Sequence, residues 1–597
     1  MKTYNLVLNE TILDFWITRI KENNIFAFHL ETDSLHIISV NIIGISFAIA
    51  PCVTAYLPLA HDYKNSPKQL DTNLVLTRLK PIFEDVTIYK ICKNLKYQIS
   101  VLKNYNIEVN RIFDINLESY VLNNLSGKYD FIKLVNFWLD YDISYYKNIS
   151  DKIKNKYYFN KISLEIASSY SCEHINIILM LHLKIWNQLQ KKSELKRIFE
   201  KIDIPIAKIL SRIERNGVLI NRTYLNKQSE KISNILIDLE LQAHKITGCS
   251  FNLSSPKQIR EILFNIKNIE LTRKTLGGKI STRNEVLSKF ESNQPLLKII
   301  LKYRSLLKIK STYTDKLPHM VNHISGRIHT SYQQCSTLTG RLSSILPNLQ
   351  NIPVDNNQGF FIRKSFIATK FNKIVSADYS QIELRIIAYL SQDKNLLESF
   401  NKHEDVHSIT AAEFFGLSMN KITSQQRRIA KIINFSVIYG ISPFGLSYQL
   451  NISIRKAKKY IDMFYDRYPS VLIYSKHVYQ SAIDKGYITT LEGRRLYLCN
   501  IKSNKCFKNI KRLSVNLQVQ GTAADIIKKA MIAIEDILEQ KYNNKIKTIM
   551  QVHDELVFEI HEDYVEHYTQ KIKLLMENST KLNPKLLVKI NIGTHWN

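Results

Sequence analysis

Thr548-Ile549-Met550-Gln551-Val552-His553-Asp554-Glu555-Leu556-Val557-Phe558 sets two apolar runs on either side of a polar His-Asp-Glu triplet. The pattern predicts a β-hairpin whose turn presents carboxylates. Packing of two hydrophobic strands does not require adjacent acids, whose mutual repulsion must be offset by a cation. A divalent metal supplies that offset; a solvated turn is the alternative reading. A second strand, Lys373 to Ala377, delivers Asp378, and Ile382, Ile386, Ile387 and Leu390 then follow at helical spacing. Asp378 thus falls at a strand-to-helix junction, either as a site carboxylate or as a helix N-cap.

Between these two clusters lies Arg427-Arg428-Ile429-Ala430-Lys431-Ile432-Ile433-Asn434-Phe435-Ser436-Val437-Ile438-Tyr439-Gly440. On an α-helix Arg427, Lys431, Phe435 and Tyr439 form one slowly drifting stripe, two cations followed by two aromatics. Such a stripe can hold a triphosphate and then a sugar and base. Core packing is the competing explanation for the aromatics, but it leaves the leading cations unexplained. Gly440 is placed to end the helix.

Around these clusters the chain runs to 597 residues, room for roughly four domains at about 150 residues each. Hydrophobic residues at 45% and charged residues at 23% exclude a disordered, collagen-like or staple-dependent chain. Lys and Arg number 83 against 53 Asp and Glu, and the resulting charge of +30 favours a polyanionic partner, nucleic acid first. A+T-biased coding, which enriches Lys, Ile and Asn, is the other source of such a charge. Seven cysteines without a Cys-x-x-Cys pair argue against a disulfide framework or structural zinc and fit a reducing cytoplasm. The charge-free stretch from Ile37 to Ala60 is broken by Asn41, Gly44, Pro51 and Pro58, so it reads as two buried strands rather than a membrane span. No signal-peptide apolar region and no fixed-period repeat is evident. The first 190 residues or so have an α/β pattern. From Ser193 to Asn322 helical spacing such as Leu225, Ile232, Ile235 and Leu239 predicts an extended helical arm, and the unusual polar clusters lie beyond Gly326.

The three clusters resemble motifs A, B and C of the family A DNA polymerases of bacteria. The likeness extends through Ser211-Arg212-Ile213-Glu214-Arg215-Asn216-Gly217, Phe251-Asn252-Leu253-Ser254-Ser255, Ser311-Thr312-Tyr313-Thr314-Asp315-Lys316-Leu317, Thr339-Gly340-Arg341-Leu342-Ser343-Ser344 and Gln520-Gly521-Thr522-Ala523-Ala524-Asp525. The resemblance implies a multi-domain α/β and α+β chain. An RNase H-like 3′→5′ exonuclease-type domain over 1–192 is followed by a right-hand polymerase domain over 193–597. Within the hand, the thumb spans 221–320, the palm 320–390 and 511–597, and the fingers 391–510.

That family adds dNTPs to a primer-template in the 5′→3′ direction, and the resemblance assigns roles accordingly. Asp378 and Asp554, with the backbone of Tyr379, would hold two Mg²⁺ ions, Glu555 assisting at the edge. Arg427 and Lys431 would neutralise the β- and γ-phosphates, and Lys431 would also protonate the pyrophosphate. Tyr439 would stack at the templating position and Phe435 beside the incoming sugar; lacking a ring hydroxyl, Phe435 implies discrimination against dideoxynucleotides. Glu383 matches the steric gate against a ribose 2′-hydroxyl, and Gln381, Arg363 and His407 match nucleotide-site positions. Arg341, Gln350, Asn516, Gln520 and His553 match groups near the primer terminus and template, where minor-groove contacts check shape without sequence preference. Ser436 departs from the glycine of close family members, with a slight effect expected on fingers closure.

The N-terminal region is similar to the family's exonuclease domain in Phe26-Ala27-Phe28, Glu31-Thr32-Asp33-Ser34-Leu35, Asn94-Leu95-Lys96-Tyr97 and Leu117-Glu118-Ser119-Tyr120. Its chemistry needs an Asp-x-Glu pair and two further Asp, because two hard cations about 3.5–4 Å apart require several anionic oxygens. Here His29 stands at the first Asp, Gln98 at the second and His174 at the last, leaving Glu31; Tyr170 keeps the place of the water-orienting tyrosine. The expectation is loss of proofreading by decay of the site. A sharper alternative has His29, Glu31 and His174 converging to bind Zn²⁺ or Fe²⁺.

No 5′-nuclease domain is expected ahead of this region. The expected role is DNA repair and replication gap filling by a monomer in the cytoplasm, associated with the nucleoid and not with a membrane. A non-catalytic DNA-binding or scaffold protein retaining the hand is the alternative, opposed by intact Asp378, Asp554, Arg427 and Lys431. A single-subunit RNA polymerase is disfavoured by Glu383.

Overall fold

The α/β pattern of the first 190 residues becomes, in the computed structural model, one six-stranded sheet. The structure describes residues 3–124, 130–141, 143, 159–265, 281–288, 294–353, 361–498, 504–541 and 545–596. Strands β1 (Thr3–Leu6), β2 (Ile25–Thr32), β3 (Ile42–Ala50), β4 (Val53–Pro58), β5 (Tyr89–Cys92) and β6 (Ile112–Asp114) are ordered β1-β4-β3-β2-β5-β6. The three central strands pair antiparallel, while β1 on β4, β5 on β2 and β6 on β5 are parallel. Every residue of β3 from Ile42 to Ile49 is buried. Burial on both faces explains why this segment reads as a continuous apolar run rather than an alternation. Helix α1 (Leu95–Lys103) follows β5, and the long helix α2 (Leu164–Leu189) lies against β3 and β4.

After α3 (Ile204–Asn216), the helical arm is built on α4 (Arg222–Thr247) packed against α5 (Pro295–Ile309). Leu225, Ile232, Leu236 and Leu239 of α4 are buried, but Ile235 is exposed. One residue before Leu236, it falls off the apolar face that the 3.6-residue period selects.

The remaining chain centres on a second sheet. A short hairpin, β7 (Ser331–Gln333) and β8 (Ser343–Ile345), precedes β9 (Asn372–Tyr379). Helices α6 (Ile382–Ser391), α7 (Val406–Phe415) and α8 (Ser424–Ile438), the hairpin β10 (Tyr487–Thr489) and β11 (Arg495–Tyr497), and the long α9 (Asn504–Lys541) come next. Strands β12 (Ile546–Val552) and β13 (Glu555–His561), helix α10 (Val565–Glu577) and β14 (Val588–Gly593) complete the described elements. The sheet order is β12-β13-β9-β14, antiparallel throughout.

Side-chain alternation makes this second sheet a wall between two cores. Val375, Ala377, Leu556, Phe558 and Ile560 join an apolar cluster continuous with the first sheet. Ile374, Met550, Val552 and Val557 point the other way, into a cluster shared with α4 and α5. The wall is held from both sides, so its edges are fixed in space. Among the described residues no helix is long and apolar enough to cross a membrane, and Cys52, Cys92, Cys172, Cys249 and Cys335 are free thiols.

Candidate active site

Register places the acids. Asp378 on β9 lies opposite Glu555 on β13 and opposite Lys589 on β14. Val552 and Glu555 pair directly, leaving His553 and Asp554 as the two-residue turn of the β12–β13 hairpin, with His553 at φ 56°. The Tyr379 N–H donates to the Asp554 carbonyl at 3.3 Å, tying the turn to the end of β9. Tyr379 turns its ring into the core, where its hydroxyl donates to the Met576 carbonyl at 2.7 Å, so only its backbone remains beside Asp378. Asp378 is not a helix cap: the N-cap of α6 is Gln381, at φ 52° and with no side-chain capping bond.

Electrostatics shows that the acids act on one another. Burial, then the charges of Asp554 and Glu555, push the Asp378 carboxyl up to about 7, although Arg363 and Lys589 pull it down. Burial likewise raises Asp554 and Glu555, against Arg341 on the first and a Trp596 hydrogen bond plus Arg363 on the second. Three half-buried carboxyls pushed toward protonation at one strand end, all offering oxygen, suit a hard divalent cation.

The other predicted residues surround this point unevenly. Glu383, in the first turn of α6, pairs with the Arg341 guanidinium, and burial raises it despite that partner. Gln350 donates through Nε2 to Gln551 Oε1 at 2.9 Å, and Gln551 bonds the His553 carbonyl, which brings Gln350 and His553 into one group behind the turn. Asn516 and Gln520 lie one turn apart on α9, both half-buried. Arg363 is buried, its guanidinium 4.0 Å from the Trp596 ring centroid and 3.7 Å from Glu555 Oε2.

Helix α8 begins with a Thr423–Gln426 capping box and carries the stripe as its period requires. Lys431 is exposed; Arg427 gives Asp405 a two-pronged ion pair at 2.6 and 3.2 Å. Burial pushes Asp405 up, but hydrogen bonds from Arg427 and Ser408 outweigh it and bring the carboxyl down to about 2. The Phe435 and Tyr439 rings are 6.4 Å apart, with Tyr439 itself the C-cap and Gly440 at φ 71° just beyond. His407 is 1% exposed, packed 5.7 Å from the Phe435 ring and bonded to Asn434, so it supports the stripe from behind instead of lying open beside it. Ser436 donates to Gln449 Oε1 at 3.0 Å.

Asp405, Lys589 and Trp596 escaped sequence reasoning. Asp405 carried a signal, since it is the N-cap of α7 two residues before His407. Lys589 and Trp596 carried none, because only the sheet brings them to Asp378 and Glu555.

In the first sheet, His29 and Glu31 share a face of β2 and meet His174 of α2, with one ligand atom from each lying within 4.8 Å of the others. Gln98 is buried, accepting from the Leu30 N–H at 3.1 Å and holding its Nε2 3.1 Å from His29 Nδ1. Tyr170 is one helical turn before His174, ring centroids 5.8 Å apart. Burial pushes Glu31 up to about 7 and His29 down to about 3.

Comparison with known proteins follows the same division. A model of DNA polymerase family A matches residues 222–597, and a 3′-5′ exonuclease model matches residues 4–190. DNA polymerase I of Pseudomonas aeruginosa is 40% identical over 99% of this chain and 66% of its own length; that of Rhizobium leguminosarum is 36% identical over 99% and 61%. The chain therefore spans less than two thirds of those relatives' lengths. The POL domain of Pol1 from M. smegmatis, solved in complex with DNA primer-template and dNTP, superposes with a TM-score of 0.88 at 27% identity, covering 99% of each chain. With the polymerase model matched from Arg222 to the C-terminus, behind a 3′-5′ exonuclease-type region, this chain belongs to DNA polymerase family A.

Proposed function

We propose that the chain is a template-directed DNA polymerase that extends a primer 3′ end with dNTPs, acting in repair and gap filling, and that its exonuclease-type region no longer proofreads. The reading rests first on the meeting of Asp378 and Asp554 at one strand end, each half-buried and, among the described residues, neither held in a direct ion pair. Two Mg²⁺ ions bound there would supply activation of the primer hydroxyl and neutralisation of the pyrophosphate. Asp378, Asp554 and the Tyr379 backbone are the groups that would hold them. Residues 1–192 form the exonuclease-type domain in this reading, and 193–597 the hand, with thumb 221–320, palm 320–390 and 511–597, and fingers 391–510.

Arg427 and Lys431, one turn apart, then receive the triphosphate, and a guanidinium suits its paired oxygens better than an ammonium does. Arg427 exchanges Asp405 for phosphate on binding. Phe435 covers the sugar and Tyr439 the templating position. Glu383, clamped by Arg341, stands where a ribose 2′-hydroxyl would need space, which selects deoxynucleotides. The loss of proofreading is supported by the donor set: one carboxylate, two imidazoles and an amide cannot hold two hard cations.

Primer extension tests the reading, using matched and mismatched 3′ ends in Mg²⁺ with and without dNTPs. Extension with dNTPs and an intact primer without them is the expected pattern. Degradation that disappears in Glu31→Ala would overturn the exonuclease half, and undiminished extension by Asp378→Ala would overturn the polymerase half.

A further inference from the structure

We propose that His29, Glu31 and His174 form a binding site for a single transition-metal ion of the Zn²⁺ type, clamping β2 to α2. The inference is independent of the polymerase reading. His29 and Glu31 are two residues apart on a strand and therefore project from the same face. His174 approaches that face from the long helix. The three ligand atoms all fall within 4.8 Å of one another, His29 Nε2 and Glu31 Oε1 being 3.9 Å apart and the two imidazole centroids 4.6 Å. Ligands on a tetrahedral ion with bonds of about 2.0–2.2 Å lie about 3.3–3.6 Å apart. The set thus needs to close by no more than about 1.5 Å on any pair and by about 0.5 Å on the His29–Glu31 pair, within reach of side-chain rotations.

The donor chemistry selects the ion. Two nitrogens and one carboxylate suit borderline metals and suit Mg²⁺ poorly, because Mg²⁺ prefers oxygen and retains its waters. Among the described residues this is the one group of three or more His, Cys, Asp or Glu side chains that meets in this way. Three protein ligands would leave one tetrahedral position open.

Two neighbours tune the site, and both oppose a bound cation as they stand. The charge of Lys93 acts on all three groups, so it opposes a bound cation. Gln98 reaches His29 Nδ1 with its Nε2 while its Oε1 is held by Leu30 N–H. When a metal takes His29 Nε2, Nδ1 carries the proton and needs an acceptor there, which an amide nitrogen is not. Gln98→Glu supplies one, in the carboxylate–histidine–metal arrangement that raises affinity.

The 597-residue chain is titrated with Zn²⁺ by calorimetry in excess Mg²⁺, which keeps all-oxygen sites filled. One Zn²⁺ per chain is expected, bound about tenfold or more weakly by Glu31→Gln and by His29→Gln and more tightly by Gln98→Glu. Circular dichroism on each variant separates lost binding from lost fold. No heat beyond dilution for the native chain, or undiminished binding in a folded Glu31→Gln or His29→Gln variant, overturns the proposal.

Discussion

Asp378 is held far from its ordinary chemistry by the fold. Its carboxyl is pushed up to about 7, by burial first and then by Asp554 and Glu555. A folded pKa above the unfolded one means that the folded state binds the proton more tightly. The associated stability is full below about pH 4 and is lost as the pH rises through about 7. In chelator, wild-type protein should therefore melt at a lower temperature at pH 8 than at pH 5. Asp378→Asn, which cannot ionise, should make that fall shallower while reducing primer extension by orders of magnitude. Glu31 titrates in the same sense, so the comparison of variant with wild type isolates Asp378; parallel melting profiles would refute the argument. Phe435 supports a second prediction at this scale. Its ring presents no hydrogen-bonding group to a sugar lacking a 3′-hydroxyl, so Phe435→Tyr should raise dideoxynucleotide incorporation relative to dNTP, measured by chain termination.

The elements translate these residues into a site, and α9 shows how tightly they are fitted. A Cβ on Gly521 would lie 2.7 Å from Leu496 Cδ1, 2.8 Å from Thr490 Cγ2 and 3.2 Å from the Thr339 carbonyl. Alanine is a better helix former than glycine by about 1 kcal/mol, but overpacking costs about 1–3 kcal/mol. Gly521→Ala should therefore lower stability by up to about 2 kcal/mol in urea denaturation, and a more stable variant would mean that the β10–β11 hairpin yields freely. The two hairpin strands around Asp554 and the helix bearing Arg427 and Lys431 were legible because apolar runs flanking a polar triplet and four-residue spacing are local properties. Whether Asp378 capped α6 was not legible, because the cap fell to Gln381 in a left-handed conformation that its side chain does not announce. The pairing of Asp378 with Lys589, and of Arg363 with Trp596, arises from sheet register and chain return over more than 200 residues. His29 and Glu31 could be placed on one strand face from spacing alone, but their meeting with His174 depends on how α2 crosses the sheet.

At the scale of the molecule, the segment leading out of the exonuclease-type region is locked to the polymerase region by a buried ionic cluster. Asp203, just ahead of α3, accepts from Arg494 at 2.8 and 3.1 Å and from Lys528 at 3.0 Å. Arg494 also donates to Asp525 at 2.8 Å, and the second Asp525 oxygen accepts from Thr490 at 2.7 Å. The side chains of the four charged residues are almost wholly enclosed, and two acids balance two bases. Burial works against the Arg494 charge, but Asp203 and Asp525 overcome it and hold the guanidinium firmly protonated. A well-packed apolar replacement for the whole cluster could be equally stable; removal of one member cannot, because it strands buried charge. Arg494→Met leaves two carboxylates facing one ammonium and should cost about 3–5 kcal/mol. Arg197, whose pairing with Glu492 is half-exposed, provides the control, and Arg197→Ala should cost no more than about 1 kcal/mol. Because Asp203 lies in the segment joining the exonuclease-type match (4–190) to the polymerase match (222–597) and Arg494 lies within the second, calorimetry of Arg494→Met should also split or broaden the unfolding transition. Equal losses in the two variants, with a single sharp transition in both, would show that the cluster does not couple the regions.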